Sequence, residues 1–328
     1  MLTTLDIVRL AVGILVLYWG AEWLIRGSAT LARFLGVKPL VIGLTVVAYG
    51  TSAPELAVST EAAVNHAQPI ALGNVIGSCA ANISLILGLT ALIAPPTIDA
   101  RIIRREVPIL LGSAVAVPIM LRDGVISSNE GLILILCAAL FTIVTLTVSS
   151  REDADDDTVG AARSAEDAGA SLGGRVRPRG NPVVAMIMSA AGLGLLVLGS
   201  DLFVQGARGI GGALGMSERM LGLTIITLGT SLPELIASLV AATRGQSALA
   251  VGSVIGSNLL NVFLVLGVVA YLRPIHIGER MHVVDLVGLV AITVLGVIFM
   301  RGSRRISRVE GAILVVAYAG FITAAGLL

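Results

Sequence analysis

The sequence predicts an all-α membrane protein: ten transmembrane helices in two inverted five-helix repeats, with helices broken at the midplane. Three observations predict it. Of 328 residues, 56% are hydrophobic and 13% charged, and the mean hydropathy is +0.95; a soluble domain carries about 25% charged residues. The apolar residues are grouped into stretches that can cross ~30 Å of hydrocarbon, which takes about 20 residues each. Finally, a long segment of the first half returns in the second, 179 residues later. The stretches are too long for strands and lack the alternation of a barrel. Helices are therefore the default, because lipid offers no partner to an open backbone.

The spans follow in order. Residues 5–25 are the first; Asp6 precedes the first basic residue, Arg9, and the span is full length, so no cleavable signal peptide is expected. Residues 39–65 contain Gly50 and Pro54 and are expected to break. Residues 70–94 carry Gly73, Gly77 and Gly88, which permit close packing on a neighbour. Residues 106–121 and 125–149 flank the loop with Arg122. The hydrophilic stretch 149–181 then runs from an acidic part (Glu152, Asp153, Asp155, Asp156, Asp157) through Gly, Ala and Ser to Arg175, Arg177 and Arg179. It is read as a flexible cytoplasmic linker rather than a cation-sensing patch. Residues 182–207, 219–243, 248–272, 282–300 and 309–327 supply five more spans. The domains are thus 1–148, the linker, and 182–328.

Lys and Arg set the orientation. Alternate loops hold 16 of them on one side and 6 on the other. The richer side, with Arg26, Arg101, the 149–181 linker, Arg244 and Arg301, is expected to be cytoplasmic, and both termini then face outward. The net charge of +1 gives no reason to expect nucleic acid. Cys79 and Cys137 lie in apolar segments and make no disulfide framework.

The repeat carries the functional reading. Gly43 to Leu56 matches Gly222 to Leu235, and the register holds through Gly73/Gly252, Gly77/Gly256, Ser78/Ser257, Asn82/Asn261 and Gly88/Gly267. The repeats centre on residues 39–94 and 218–272. Five spans per copy is an odd number, so the second copy must insert upside down. This is the plan of secondary transporters that bind at the midplane.

Within each copy an acid, Glu55 or Glu234, lies deep in an apolar span. A charge there costs from ~3 to more than 10 kcal/mol, and no basic residue lies at similar depth to pair with it. A hard cation is the missing partner. Gly50 weakens the helix, and Pro54 lacks an N–H and clashes with the preceding turn, freeing backbone carbonyls. Thr51 and Ser52, repeated as Thr230 and Ser231, add hydroxyls. Glu55 and Ser59 share a face at i, i+4, as do Glu234 and Ser238. Ser78 and Asn82 share a face of the third span, and Ser257 and Asn261 of the eighth. Such oxygens suit calcium, which takes 6–8 of them, or sodium; with no matching His or thiolate, zinc and copper fit poorly.

Ser52-Ala53-Pro54-Glu55 also reads as a capping box with Pro in the first turn. Capping is compatible with ion binding but does not explain an acid placed mid-membrane twice. The hydroxyls could bond back to their own helices, and the two Asn could join helices. Cys79, opposite Asn258, reads as small packing. Glu22 and the repeat-related Asp201 read as structural, Glu61 and Asp285 as interfacial, and His66, His276 and His282 as solvated span ends. An intramembrane hydrolase would need a base beside Ser52 or Ser231, and no His lies at that depth, so no enzyme is expected. A channel would need a continuous pore.

At these residues the sequence resembles the cation/calcium exchanger superfamily, and more narrowly the prokaryotic sodium/calcium exchangers. Their α-repeats carry Gly-Thr-Ser-x-Pro-Glu followed by Gly-Asn-x-x-Gly-Ser-Asn-x-x-Asn. Here the motifs read Gly50-Thr51-Ser52-Ala53-Pro54-Glu55 with Gly73 to Asn82, and Gly229-Thr230-Ser231-Leu232-Pro233-Glu234 with Gly252 to Asn261. The resemblance implies Ca²⁺/Na⁺ antiport in the cell membrane, with the ions as cargo and no cofactor. It implies a calcium site shared by Glu55 and Glu234. It also implies sodium sites using Thr51, Ser52, Ser78, Thr230, Ser231 and Ser257 with the carbonyls of Ala48 and Thr227, and first helices that slide against a more static core. Two departures stand out. Cys79 replaces an Asn, and Asn82 and Asn261 are both amides where some members carry Asp. The centre then holds at most −2, which one Ca²⁺ neutralises and three Na⁺ exceed. Desolvation and like-charge repulsion favour neutral acids in an empty site, so a proton/calcium antiporter using the same carboxylates is the alternative.

Overall fold

The computed structural model describes residues 4–66, 68–167, 181–214, 227–276, 283–302 and 304–327. The protein is mostly helical. Helix α1 is Thr4–Leu35, α2 Pro39–Thr51 and α3 Ala53–Val64. Helix α4 starts as Gln68–Ala80 and passes through a π-helical turn, Ala81–Ile86, into Leu87–Ile93. Helix α5 is Ala100–Met120, α6 Ser128–Asp167 and α7 Pro182–Ala213. Helix α8 is Thr227–Thr230 and α9 Leu232–Thr243. Helix α10 runs Ser247–Leu260, a π-helical turn Asn261–Leu266, then Gly267–Leu272. Helices α11, Val283–Gly302, and α12, Arg308–Leu327, end the fold.

Among the described residues seven helices are long and apolar enough to cross a membrane, and eight if the bent pair α2–α3 counts as one span. One of the other expected spans falls short for a physical reason: helix α5 opens with Arg101, Arg104, Arg105 and Glu106, which dilute its hydropathy. The 219–243 stretch is described only in part, since residues 219–226 lie outside the described residues; its described part includes α9, with 12 residues.

Helices also outrun the apolar windows. Helix α1 continues past residue 25 to Leu35, because Arg26 and Arg33 leave hydrocarbon without leaving the helix. Helix α6 continues to Asp167, into the stretch expected to be a flexible linker. That part contains Ala154, Ala161, Ala162 and Ala165, good helix formers. The rest of the expected linker, 168–180, lies outside the described residues.

The centre of the bundle is α4 and α10. Their apolar windows are 78% and 83% buried, against 22–33% for the other long helices. Sequence dictates how closely α10 and α2 approach. A Cβ at Gly43 would lie 2.7 Å from the Leu249 carbonyl oxygen, and one at Gly252 would lie 2.8 Å from that of Leu40. Only glycines allow backbone to meet backbone there.

Helices α1 and α7 form a second closely packed pair, running antiparallel. A Cβ at Gly13 would lie 2.7 Å from the Phe203 nitrogen and 2.9 Å from the Gly199 carbonyl oxygen; one at Gly20 would lie 2.8 Å from the Leu196 nitrogen and 3.0 Å from the Gly192 oxygen. Gly13 and Gly20 are the repeat counterparts of Gly192 and Gly199, so each contact recurs with the two halves exchanged.

Loops pair at both ends of the bundle. Strand β1 (Val125–Ile126) is antiparallel to β2 (Ile275–His276), with Val125 opposite His276 and Ile126 opposite Ile275. Elsewhere Ile98 N donates to Arg304 O at 2.7 Å and Ile306 N to Pro96 O at 3.2 Å.

Candidate cation-binding site

The helix breaks where Pro54 demands it. The residue before α3, Ser52, has φ −81° and ψ 1°, and α2 and α3 bend by 42° there. Pro54 has no N–H to give the Gly50 carbonyl. The second copy does the same: Ser231 has φ −90° and ψ 3°, with Pro233 in the first turn of α9. The carbonyl of Gly229, left over in the same way, accepts the hydroxyl of Ser200 from α7. Position 21, the repeat counterpart of Ser200, is alanine.

Each break turns an acid inward. Glu55 is 1% exposed and Glu234 0%. Ser231 Oγ donates to Glu55 Oε1 at 3.3 Å, and Ser52 Oγ donates to Glu234 Oε1 at 3.5 Å. The serine of each copy thus serves the acid of the other. Thr51 Oγ1 and Ser257 Oγ are 3.3 Å apart, and Ser231 Oγ also reaches Ser78 Oγ at 3.4 Å. Thr230 is buried beside Ser231. The Ala48 carbonyl accepts the Ser52 N–H at 3.0 Å and the Thr51 hydroxyl at 3.5 Å. Thr227 is the first residue of α8, at the start of the segment that ends at the second break.

The amides complete the arrangement. Asn82 and Asn261 each lie in a π-helical turn, Asn82 as its second residue and Asn261 as its first, a distortion that recurs at functional sites. The turn with Asn261 packs on α3, which carries Glu55; the turn with Asn82 packs on α9, which carries Glu234. Both are fully buried.

The chemistry of the donors fits a hard cation. Glu55 Oε2, Glu234 Oε2, Asn82 Oδ1 and Asn261 Oδ1 are buried oxygens without a hydrogen-bond partner. Buried polar atoms are ordinarily paired, so four unpartnered acceptors on packed neighbouring elements suit a ligand that accepts lone pairs. Among the described residues neither carboxylate meets a basic side chain, and no cluster of three or more His, Cys, Asp or Glu exists. The donor set is therefore carboxylate, amide and hydroxyl oxygen, the set that calcium and sodium prefer.

Some polar groups were not anticipated. Asn74 Nδ2 donates to Ser59 Oγ at 2.9 Å, tying α4 to α3 behind Glu55. The counterparts Ser253 and Ser238 are buried and unpaired. Asn74 lay within the repeated motif, and the shared repeat register was the available signal. Ser200 had none. Cys79 Sγ lies 3.8 Å from the Asn258 carbonyl oxygen, its own counterpart in the repeat. Glu22 is buried and paired with Arg26 at 2.5 Å and Arg244 at 2.9 Å. Asp201 is exposed and accepts from Gln205. Glu61, His66 and His276 are exposed, Asp285 is half-buried, and His282 lies outside the described residues.

The chain resembles known proteins over nearly its whole length. The family model described as sodium/calcium exchanger protein matches residues 5–147 and 184–327. The chain is 37% identical to the putative antiporter CaxA of Alkalimonas amylolytica over 94% of its length and 95% of that protein's. It is 29% identical to the sodium/calcium exchanger MaX1 of Methanosarcina acetivorans over 97% and 98%. The solved structure of the sodium-calcium exchanger NCX_Mj soaked with zero Na⁺ and Ca²⁺ superposes with a TM-score of 0.82 at 30% identity, covering 99% of each chain. The chain belongs to the sodium/calcium exchanger protein family.

Proposed function

We propose that the protein exchanges Ca²⁺ for Na⁺ across the cell membrane by alternating access at one midplane site built on Glu55 and Glu234. The observation that carries this is the crossed pair Ser231–Glu55 and Ser52–Glu234, which leaves one oxygen of each acid buried and unpartnered. Calcium takes both acids with the Asn82 and Asn261 carbonyls. Sodium takes the hydroxyls of Thr51, Ser52, Ser78, Thr230, Ser231 and Ser257 and the carbonyls of Ala48 and Thr227. The two ions share oxygens, so full occupancy by one excludes the other.

The proposal includes ten spans in two inverted halves, 1–148 and 182–328. Support comes from the exchange of partners between equivalent positions: Gly13–Gly199 against Gly20–Gly192, and Ser52–Glu234 against Ser231–Glu55. The basic-rich side, with the 149–181 stretch, is cytoplasmic, and both termini face outward. The pairing of β1 with β2 and of the 96–98 loop with the 304–306 loop supports this parity, since each joins two loops assigned to one side.

The test is Ca²⁺ uptake into proteoliposomes under an imposed sodium gradient, compared with an imposed pH gradient. Uptake driven by sodium alone supports the reading, and indifference to sodium overturns it. A second reading, proton/calcium antiport, rests on the amides at 82 and 261, which cap the site at −2, a charge that two protons also neutralise. Uptake driven by the pH gradient alone would select it.

A further inference from the structure

A cavity of about 450 Å³ opens between α1, α7 and the turn before α10, away from the carboxylates. Arg26, Arg33, Thr30, Arg244, Gln246 and Glu22 line it. Three guanidinium groups face one carboxylate. Glu22 is the acid that pairs with Arg26 and Arg244; among the described residues Arg33 donates to the Ala29 carbonyl and to Thr30 of its own helix and pairs with no acid. The cavity therefore carries an excess of two positive charges, with the planar forks that suit a phosphate.

Its place in the fold narrows the ligand. Trp19, Trp23, Arg26, Thr30 and Arg33 recur at helical spacing and form one stripe along α1. Trp19 is 55% exposed and Trp23 41%. An outward aromatic pair followed by a basic rim marks the level where hydrocarbon meets headgroups. Basic pockets between membrane helices at that level hold anionic headgroups.

We propose that this cavity binds a phosphate-bearing anion, supplied either by an anionic phospholipid headgroup or as free phosphate. Arg26, Arg33 and Arg244 supply the charge, and Thr30 and Gln246 add neutral hydrogen bonds. Glu22 holds two of the arginines in place.

Trp19 and Trp23 are the chain's only tryptophans, so selectively excited tryptophan fluorescence reports on this stripe alone. The full-length protein is reconstituted in phosphatidylcholine vesicles with either brominated phosphatidylglycerol or brominated phosphatidylcholine at equal mole fraction. Preferential quenching by the anionic lipid is expected, falling about fivefold for each arginine removed. R33Q is the cleanest variant, because it strands no buried group; R26Q/R33Q is the stronger one. R301Q, an equal loss of charge at an exposed site on α11, keeps the preference. Millimolar inorganic phosphate added to phosphatidylcholine vesicles distinguishes the sources. A phosphate-induced fluorescence change abolished by R26Q/R33Q, in a wild type that shows no preference for the anionic lipid, assigns the site to free phosphate. The proposal is overturned if the wild type responds to neither probe, or if its response survives R26Q/R33Q.

Discussion

Ser231 donates its hydroxyl to Glu55 at 3.3 Å, although 176 residues separate them. Ser52 and Glu234 mirror the contact. A serine at each helix break, which local sequence assigns as a cap, instead reaches the acid of the opposite copy. The candidate site is thus a joint between the two copies of the repeat.

Replacing Glu55 or Glu234 with Gln removes one unit of charge from a water-poor centre. Two unit charges about 4 Å apart at an effective dielectric of 20 are worth on the order of 4 kcal/mol; calcium carries two, so the loss is at least about a thousandfold in affinity. Calcium uptake by either variant in proteoliposomes is expected at background, with the protein still folded by size-exclusion profile. Near-normal flux from E55Q or E234Q would refute the shared carboxylate site.

The crossed serines should matter less, and equally. Hydrogen bonds to charged groups are worth about 1.5–3 kcal/mol. S52A and S231A are each expected to weaken ion binding roughly 10- to 100-fold without abolishing exchange. Concentration dependence of calcium uptake measures this, and a large effect in one variant with none in the other would contradict the mirrored arrangement.

Acid should weaken calcium binding. Calcium needs both carboxylates ionised, so protons compete with it, and each calcium bound displaces protons. The sign is fixed: the apparent Kd for Ca²⁺ rises as pH falls, with up to two protons involved. Calorimetry in buffers of different ionisation enthalpy counts them, and tighter binding at acid pH would rule the scheme out.

The α1–α7 seam makes a prediction about stability. A Cβ at Gly20 would come within 2.8 Å of backbone, and overpacking of this kind costs about 1–3 kcal/mol. G20A is expected to lower the Tm in detergent measurably, and G192A, opposite it, to do the same. G212A, where a Cβ meets nothing within 4 Å, serves as the neutral control. Equal Tm values for all three would show that the seam tolerates separation.

The sequence by itself determined the membrane class, the duplication, the breaks at Pro54 and Pro233, and the placing of one acid deep in an apolar stretch of each copy. These are local or compositional facts: hydrophobicity per residue, a proline that lacks an N–H, a register that repeats. The tertiary structure alone decided which serine meets which acid, that Ser200 takes the Gly229 carbonyl, that Asn74 braces Ser59, and that Glu22 pairs with Arg244. Helix ends at Leu35 and Asp167 also escaped the apolar windows, which measure solvent preference and not backbone hydrogen bonding. The physical reason is common to all of these. A side chain's partner across a bundle is set by how helices pack, and glycines such as Gly43 and Gly252 fix that approach only once both helices are present.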